Sequence, residues 1–133
     1  MTLSDILQPE GWPRPSGYSN GVLAQGRQVF IAGQVGWNPR TGNFESAQLA
    51  DQVAQALKNV LVVLAAANGR PEHIVRMTWY LTSRAQYIAH LEEIGAAYRE
   101  VMGKHFPAMT AVEVTALIEA QARVEIEATA VIP

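Results

Sequence analysis

Glu125 and Glu127 stand two residues apart in Arg123-Val124-Glu125-Ile126-Glu127-Ala128, a run that alternates ionic and apolar side chains. Successive side chains on a strand point to opposite faces, so Arg123, Glu125, Glu127 and Thr129 share one face and Val124, Ile126, Ala128 and Ala130 the other. The apolar set must cover a core. The ionic set has two readings. Facing bulk water, it is an ordinary solvated sheet surface. Enclosed by another subunit, two carboxylates about 7 Å apart and partly desolvated keep a proton near neutral pH, and one becomes a usable acid or base. The run Phe106-Pro107-Ala108-Met109-Thr110-Ala111-Val112-Glu113-Val114 lies upstream, and the polar link between the two predicts paired antiparallel strands.

Other elements must hold that face in place. Residues 1–19 are rich in proline and glycine (Pro9, Gly11, Pro13, Pro15, Gly17) and predict an extended lead-in without periodic structure. Gly21-Val22-Leu23-Ala24 and Gln28-Val29-Phe30-Ile31-Ala32-Gly33 flank Gln25-Gly26-Arg27, which predicts a hairpin. Between about Ser46 and Asn68, Ala50, Val53, Ala54, Leu57, Val60, Leu61 and Leu64 recur at spacings of three and four. They form the apolar stripe of a helix, with Gln52, Asn59 and other polar residues elsewhere around it. Gly69 offers a left-handed cap, and Pro71 prevents continuation. Val75 to Leu81 predicts a strand. Ser83-Arg84-Ala85-Gln86 fits a capping box that opens a second helix, carried by Tyr87, Leu91, Ile94, Tyr98, Val101 and Met102 and ending near Gly103.

The order is therefore β-β-α-β-α-β-β, an α+β chain with a mixed sheet. Right-handed crossovers place both helices on one face. The face left uncovered carries ionic, apolar and aromatic groups together, a character better suited to burial against copies of the chain than to water, so a homo-oligomer is expected.

Composition narrows the function classes. At 133 residues, 49% hydrophobic and 17% charged, residues 1–133 fit one domain with a real core. A net charge of −2 with ten scattered basic residues leaves no footprint for nucleic acid or an anionic membrane. The absence of cysteine excludes disulfides, thiolate nucleophiles and thiolate metal sites. No apolar run approaches the roughly 18 residues of a membrane span, and Met1-Thr2-Leu3-Ser4-Asp5 lacks a basic leader; a cytoplasmic protein is expected. His73, His90 and His105 fit no helical metal pair, and Gly33 and Gly36 open onto Trp37-Asn38-Pro39 rather than a helix, so neither a metal nor a nucleotide cofactor is expected.

Tyr18-Ser19 after a glycine, Ala32-Gly33-Gln34, Asn59, Phe106-Pro107-Ala108 and Val124-Glu125-Ile126-Glu127-Ala128 together resemble the RidA/YjgF family over nearly the whole chain. No single motif is specific, but their order and spacing are. The resemblance implies a chorismate-mutase-like fold, a homotrimer whose sheets line a central barrel, and a small-molecule cleft between neighbouring subunits. It also implies hydrolysis of reactive enamines or imines such as 2-aminoacrylate. Position by position, Glu125 matches the glutamate that activates the attacking water, and Tyr18 the tyrosine at the cleft wall; Ala32 and Gly33 match the segment lining the cleft. Deaminating members follow the Pro-Ala pair with an arginine that grips the substrate carboxylate, and here that residue is Met109. Ala32 replaces a frequent serine, and Gly95 a common asparagine. A thioether is a weak, uncharged acceptor where a guanidinium makes paired, charge-assisted bonds, so the substrate is expected to differ from small 2-imino acids. Three readings stay open: a deaminase, a non-catalytic small-molecule sensor, and a holdase-like interaction protein. Trp37, Trp79 and Tyr80 are candidates for an aromatic wall or for simple packing.

Overall fold

The computed structural model describes residues 4–133. In chain order the elements are β1 (Ser4–Leu7), β2 (Gly21–Ala24), β3 (Arg27–Val35), α1 (Leu49–Ala65), a 3₁₀ turn (Pro71–His73), β4 (Ile74–Leu81), α2 (Arg84–Ala89), α3 (Leu91–Met102), β5 (Ala108–Glu113) and β6 (Val124–Ile132). The main sheet runs β3-β6-β4-β5, antiparallel except for the parallel β4/β5 pair, and β1 and β2 form a separate two-stranded ladder.

The alternation in β6 holds: Val124, Ile126, Ala128 and Ala130 are buried, whereas Glu125, Glu127 and Thr129 are only partly covered. Both longer helices lie on the apolar side. Val53, Leu57, Val60 and Leu64 of α1 and Ile94, Tyr98 and Met102 of α3 join Ile31, Met77, Trp79 and Ile126 of the sheet in one core. Full burial of each large aliphatic side chain contributes about 1.5–3 kcal/mol, which makes this contact the main stabilising term.

Several expectations are corrected. The lead-in contains β1, whose four residues are too few to show a period and which pairs with β2 in the register Leu7↔Gly21. β2 and β3 do not form a hairpin ladder with one another. Gly26, with φ 151°, instead lets the C-terminal backbone come close: a Cβ there would lie 2.3 Å from the Ile132 carbonyl oxygen. β5 and β6 are not neighbours, because β4 lies between them. The chain crosses the end of β4 through residues 114–123, held by Val114 N–H to Leu81 O (2.8 Å) and Thr82 N–H to Arg123 O (3.2 Å).

Gln52 and Asn59 lie on the buried side of α1 rather than outside the stripe, for a polar reason. Gln52 Nε2 donates to the Ser46 and Gln121 carbonyls at 3.0 and 3.1 Å, and its Oε1 accepts from Arg123 N–H at 2.8 Å. Asn59 Nδ2 donates to the Val35 and Trp37 carbonyls, both at 3.0 Å, fastening the end of β3. The left-handed residue after α1 is Asn68 (φ 62°), and Gly69 provides space for Leu64 instead. Ser83 Oγ does cap the second helix, accepting from Gln86 N–H at 3.1 Å, but the helix breaks at His90 into α2 and α3.

Candidate functional site

The residues singled out in the sequence fall into two groups on opposite faces of the sheet. On the helix side, Ser19 meets the start of β5: Ser19 N–H donates to Pro107 O at 3.0 Å, its hydroxyl donates to Phe106 O, and it bridges to Ala108 in parallel register. This places Tyr18, 40% exposed, beside the edge strand. Met109 enters β5 opposite Met77 and packs partly buried against the core.

Tyr18 and Met109 line the same cavity, of about 840 Å³, whose walls also include Trp79, Tyr98, Phe106 and Arg99. Its aromatic side is organised: Tyr98 and Phe106 stack at 5.4 Å between ring centroids, and Trp79 stands edge-on to Tyr87 at 6.5 Å. Burial raises the Tyr98 phenol well above its ordinary value, and its hydroxyl donates to the His105 carbonyl, so it is a fixed neutral wall. Trp79 Nε1 is buried and, among the described residues, has no acceptor.

The second group lies on the uncovered face. β3 shifts register between Ile31 and Gln34, a bulge that contains Ala32 and Gly33 opposite β6. The Glu125 side chain crosses this bulge so closely that a Cβ on Gly33 would sit 2.1 Å from its Oε2. The carboxylate is half-buried and has no side-chain hydrogen bond or ion pair among the described residues. Glu127 is engaged: Tyr80 Oη donates to its Oε1, and that bond is the main reason the Tyr80 phenol is raised above its ordinary value of 10.0. The two glutamates therefore have different parts, one tied and one free. Phe30, 74% exposed, stands on the same face.

The sheet thus separates Glu125, Ala32 and Gly33 from Tyr18 and Met109 within one chain. Of the three aromatic candidates, Trp79 lines the cavity, Trp37 packs on Phe44 at 5.9 Å, and Tyr80 serves Glu127. His105 is bound through Nε2 to Ile74 O at 2.6 Å. Among the described residues no group of three or more His, Asp or Glu side chains is placed to hold a metal ion. Two other hollows, of about 750 and 580 Å³, lie around Ala47–Asp51 and α3 and under residues 115–123, away from all five residues. Sequence reasoning missed Arg99; its place four residues after Gly95, on the same helix face, was the available signal.

The family model described as Endoribonuclease L-PSP matches residues 13–132. The chain belongs to the RidA/YjgF family. It is similar to the 2-iminobutanoate/2-iminopropanoate deaminase of Homo sapiens, with 34% identity over 114 residues, 86% of this chain and 79% of that one. Among solved structures it is similar to a Rid family protein of unknown function from Yersinia pestis, with a TM-score of 0.86, 33% identity and coverage of 98% and 100% of the two chains. It is also similar to E. coli TdcF with bound serine, with a TM-score of 0.70, 28% identity and coverage of 97% and 99%. The α+β order with both helix layers on one side of a mixed sheet is that of the chorismate-mutase-like fold. No helix among the described residues is long and apolar enough to cross a membrane.

Proposed function

We propose that residues 1–133 form a single domain that assembles as a homotrimer and hydrolyses a reactive enamine or imine larger than the smallest 2-imino acids. The observation that carries this reading is the Glu125 carboxylate, unpaired among the described residues and seated across the Gly33 bulge on an uncovered face. In a trimer, that face of one protomer closes the cavity of the next, bringing Glu125 to Tyr18 and Met109. The exposed Phe30 supports burial of the face, and the human relative's name supports the reaction class.

In the proposed reaction an enamine first takes a proton on carbon and gives one up from nitrogen to become an imine. Glu125 accepts a proton from water as the water oxygen bonds to the imine carbon, the C=N electron pair moves to nitrogen, and Glu125 passes that proton to the nitrogen and is a carboxylate again. The resulting carbinolamine loses its hydroxyl proton to Glu125, nitrogen takes a proton, and the C–N bond breaks to release ammonia and leave a carbonyl. Water and substrate supply every atom, so no cofactor is required. Met109 offers an apolar wall where a carboxylate grip would stand, which turns specificity away from 2-aminoacrylate. The proposed setting is the cytoplasm.

The test is ammonia release from enamines generated in place, with spontaneous hydrolysis subtracted. Glu125→Gln should cost about 10²- to 10⁴-fold in turnover while leaving ligand affinity largely intact. A variant that hydrolyses as well as the parent removes Glu125 as the base. Met109 specifically favours a second reading, a non-catalytic binding protein; ligand binding without turnover in the parent would select it.

A further inference from the structure

The loss of an arginine at position 109 raises the question of where an anionic group would be held. We propose that Arg99 is the anion-gripping residue of the cavity beside Met109, and that its ligand combines a carboxylate with an aromatic or similarly large apolar side chain. This deepens the reading above and rests on it for the identity of the cavity as the ligand site.

Arg99 lies in the last turn of α3 and lines the same cavity as Tyr18 and Met109. Gly95, one helical turn earlier, also lines it, and a Cβ built there would lie 3.2 Å from Arg99 Nη1 and 4.0 Å from Cζ. The guanidinium therefore lies along the bare Gly95 backbone, in space that any larger residue would contest. The absent side chain at 95 and the cation at 99 are two parts of one arrangement. α3 also carries Glu92, Glu93 and Glu100, but none pairs with Arg99: the single ion pair among the described residues joins Arg70 and Glu72, and no side-chain hydrogen bond engages the guanidinium. Its planar donors thus remain available for bidentate contact with a carboxylate.

The rest of the cavity defines the partner of that carboxylate. In a single protomer the cavity measures about 840 Å³ and is open on the side that a neighbouring face would close, so its lining rather than its volume indicates what it takes. Tyr18, Leu91, Phe106 and Met109, all at least partly exposed along the cavity, present rings, an aliphatic chain and a thioether to an apolar body, with the buried Tyr98 and Trp79 behind them.

Calorimetric titration of the intact protein with 3-phenylpropanoate, its neutral isostere 3-phenylpropanamide, and propanoate tests the assignment without turnover. The parent should bind 3-phenylpropanoate about tenfold or more tightly than either of the others, from the charged hydrogen bonds and the ring contacts respectively. Arg99→Met should erase the preference for carboxylate over amide while leaving the amide affinity within about twofold. Gly95→Asn, which displaces the guanidinium but keeps its charge, should do the same. A dipole-stabilising cation at a helix end would change stability but not the carboxylate preference, so retention of that preference in Arg99→Met overturns the proposal, as does its absence from the parent. An Arg99-dependent preference in a protein that hydrolyses no imine upholds the grip and rejects the hydrolase reading. Imine hydrolysis with a preference indifferent to Arg99 does the reverse.

Discussion

Replacing Gly33 by alanine should separate catalysis from stability more cleanly than any substitution of Glu125 itself. Gly33 is not in the left-handed region, so its backbone accepts alanine. The added Cβ would stand 2.1 Å from Glu125 Oε2 and 2.8 Å from Cδ, against an ordinary contact of 3.4 Å or more, so the carboxylate must retreat by about 1.3 Å. Cγ, at 2.9 Å, is obstructed too, so the whole side chain must turn about χ1; at a partly open surface a new rotamer relieves the contact for about 1 kcal/mol. A displacement of about 1 Å at a reacting group, by contrast, costs on the order of 10²-fold in rate. The expected result is a hundredfold loss of ammonia release with an unfolding midpoint within a few degrees of the parent. Gly36→Ala is the control: its Cβ would meet backbone atoms of Gln52 at 2.6 Å, which no side-chain rotation can relieve. That variant should lose about 1–3 kcal/mol of stability. If Gly33→Ala retains turnover within twofold, the position of Glu125 over the bulge is not what the reaction depends on.

Two further outcomes test the polar framework. The Tyr80 phenol is raised chiefly by its bond to Glu127, so the stabilisation it brings is fully present below the ordinary value of 10.0 and is lost as pH climbs through the raised one. Urea unfolding at pH 9 and 11 should show a smaller alkaline loss in Tyr80→Phe than in the parent; equal losses would detach the pair from alkaline stability. Gln52→Leu leaves the Ser46 and Gln121 carbonyls and the Arg123 N–H without their partner in a buried place. It should lower stability by about 2–4 kcal/mol and raise amide exchange across residues 114–123, and unchanged exchange there would show that the segment is held by other contacts.

What the sequence could reveal follows from the range of each interaction. The alternation of β6 and the stripe of α1 are local periods, and both predicted the buried faces, since a face depends only on spacing along one element. Strand partners are another matter. Nothing within Gly21–Gly33 distinguishes a hairpin turn from a glycine that admits the Ile132 carbonyl, and nothing within residues 106–128 tells that β4 will stand between the two runs. The site divides in the same way. Glu125 was legible as a candidate because its neighbours alternate, and Glu127 as the second carboxylate on the same face. The seat of Glu125 on Gly33 depends on the β3/β6 register, in which Val35 faces Glu125 and a bulge follows. Arg99 was not legible because its proximity to position 109 is tertiary: Met109 stands on β5, whereas Arg99 stands on the helical wall of the same cavity.

The position of β6 between β3 and β4 has a consequence for how the molecule is made. It is the last of these strands to leave the ribosome, yet it is the one that joins β3 to β4, which share no ladder with each other. Until residues 124–132 emerge, both strands present open edges and an apolar face that α1 and α3 can only partly shelter. Synthesis therefore passes through an interval in which nearly the whole chain exists while β3 is still unjoined to the β4/β5 pair, and association between nascent chains is most hazardous then. A pause late in translation prolongs that interval, whereas an early one leaves it unchanged.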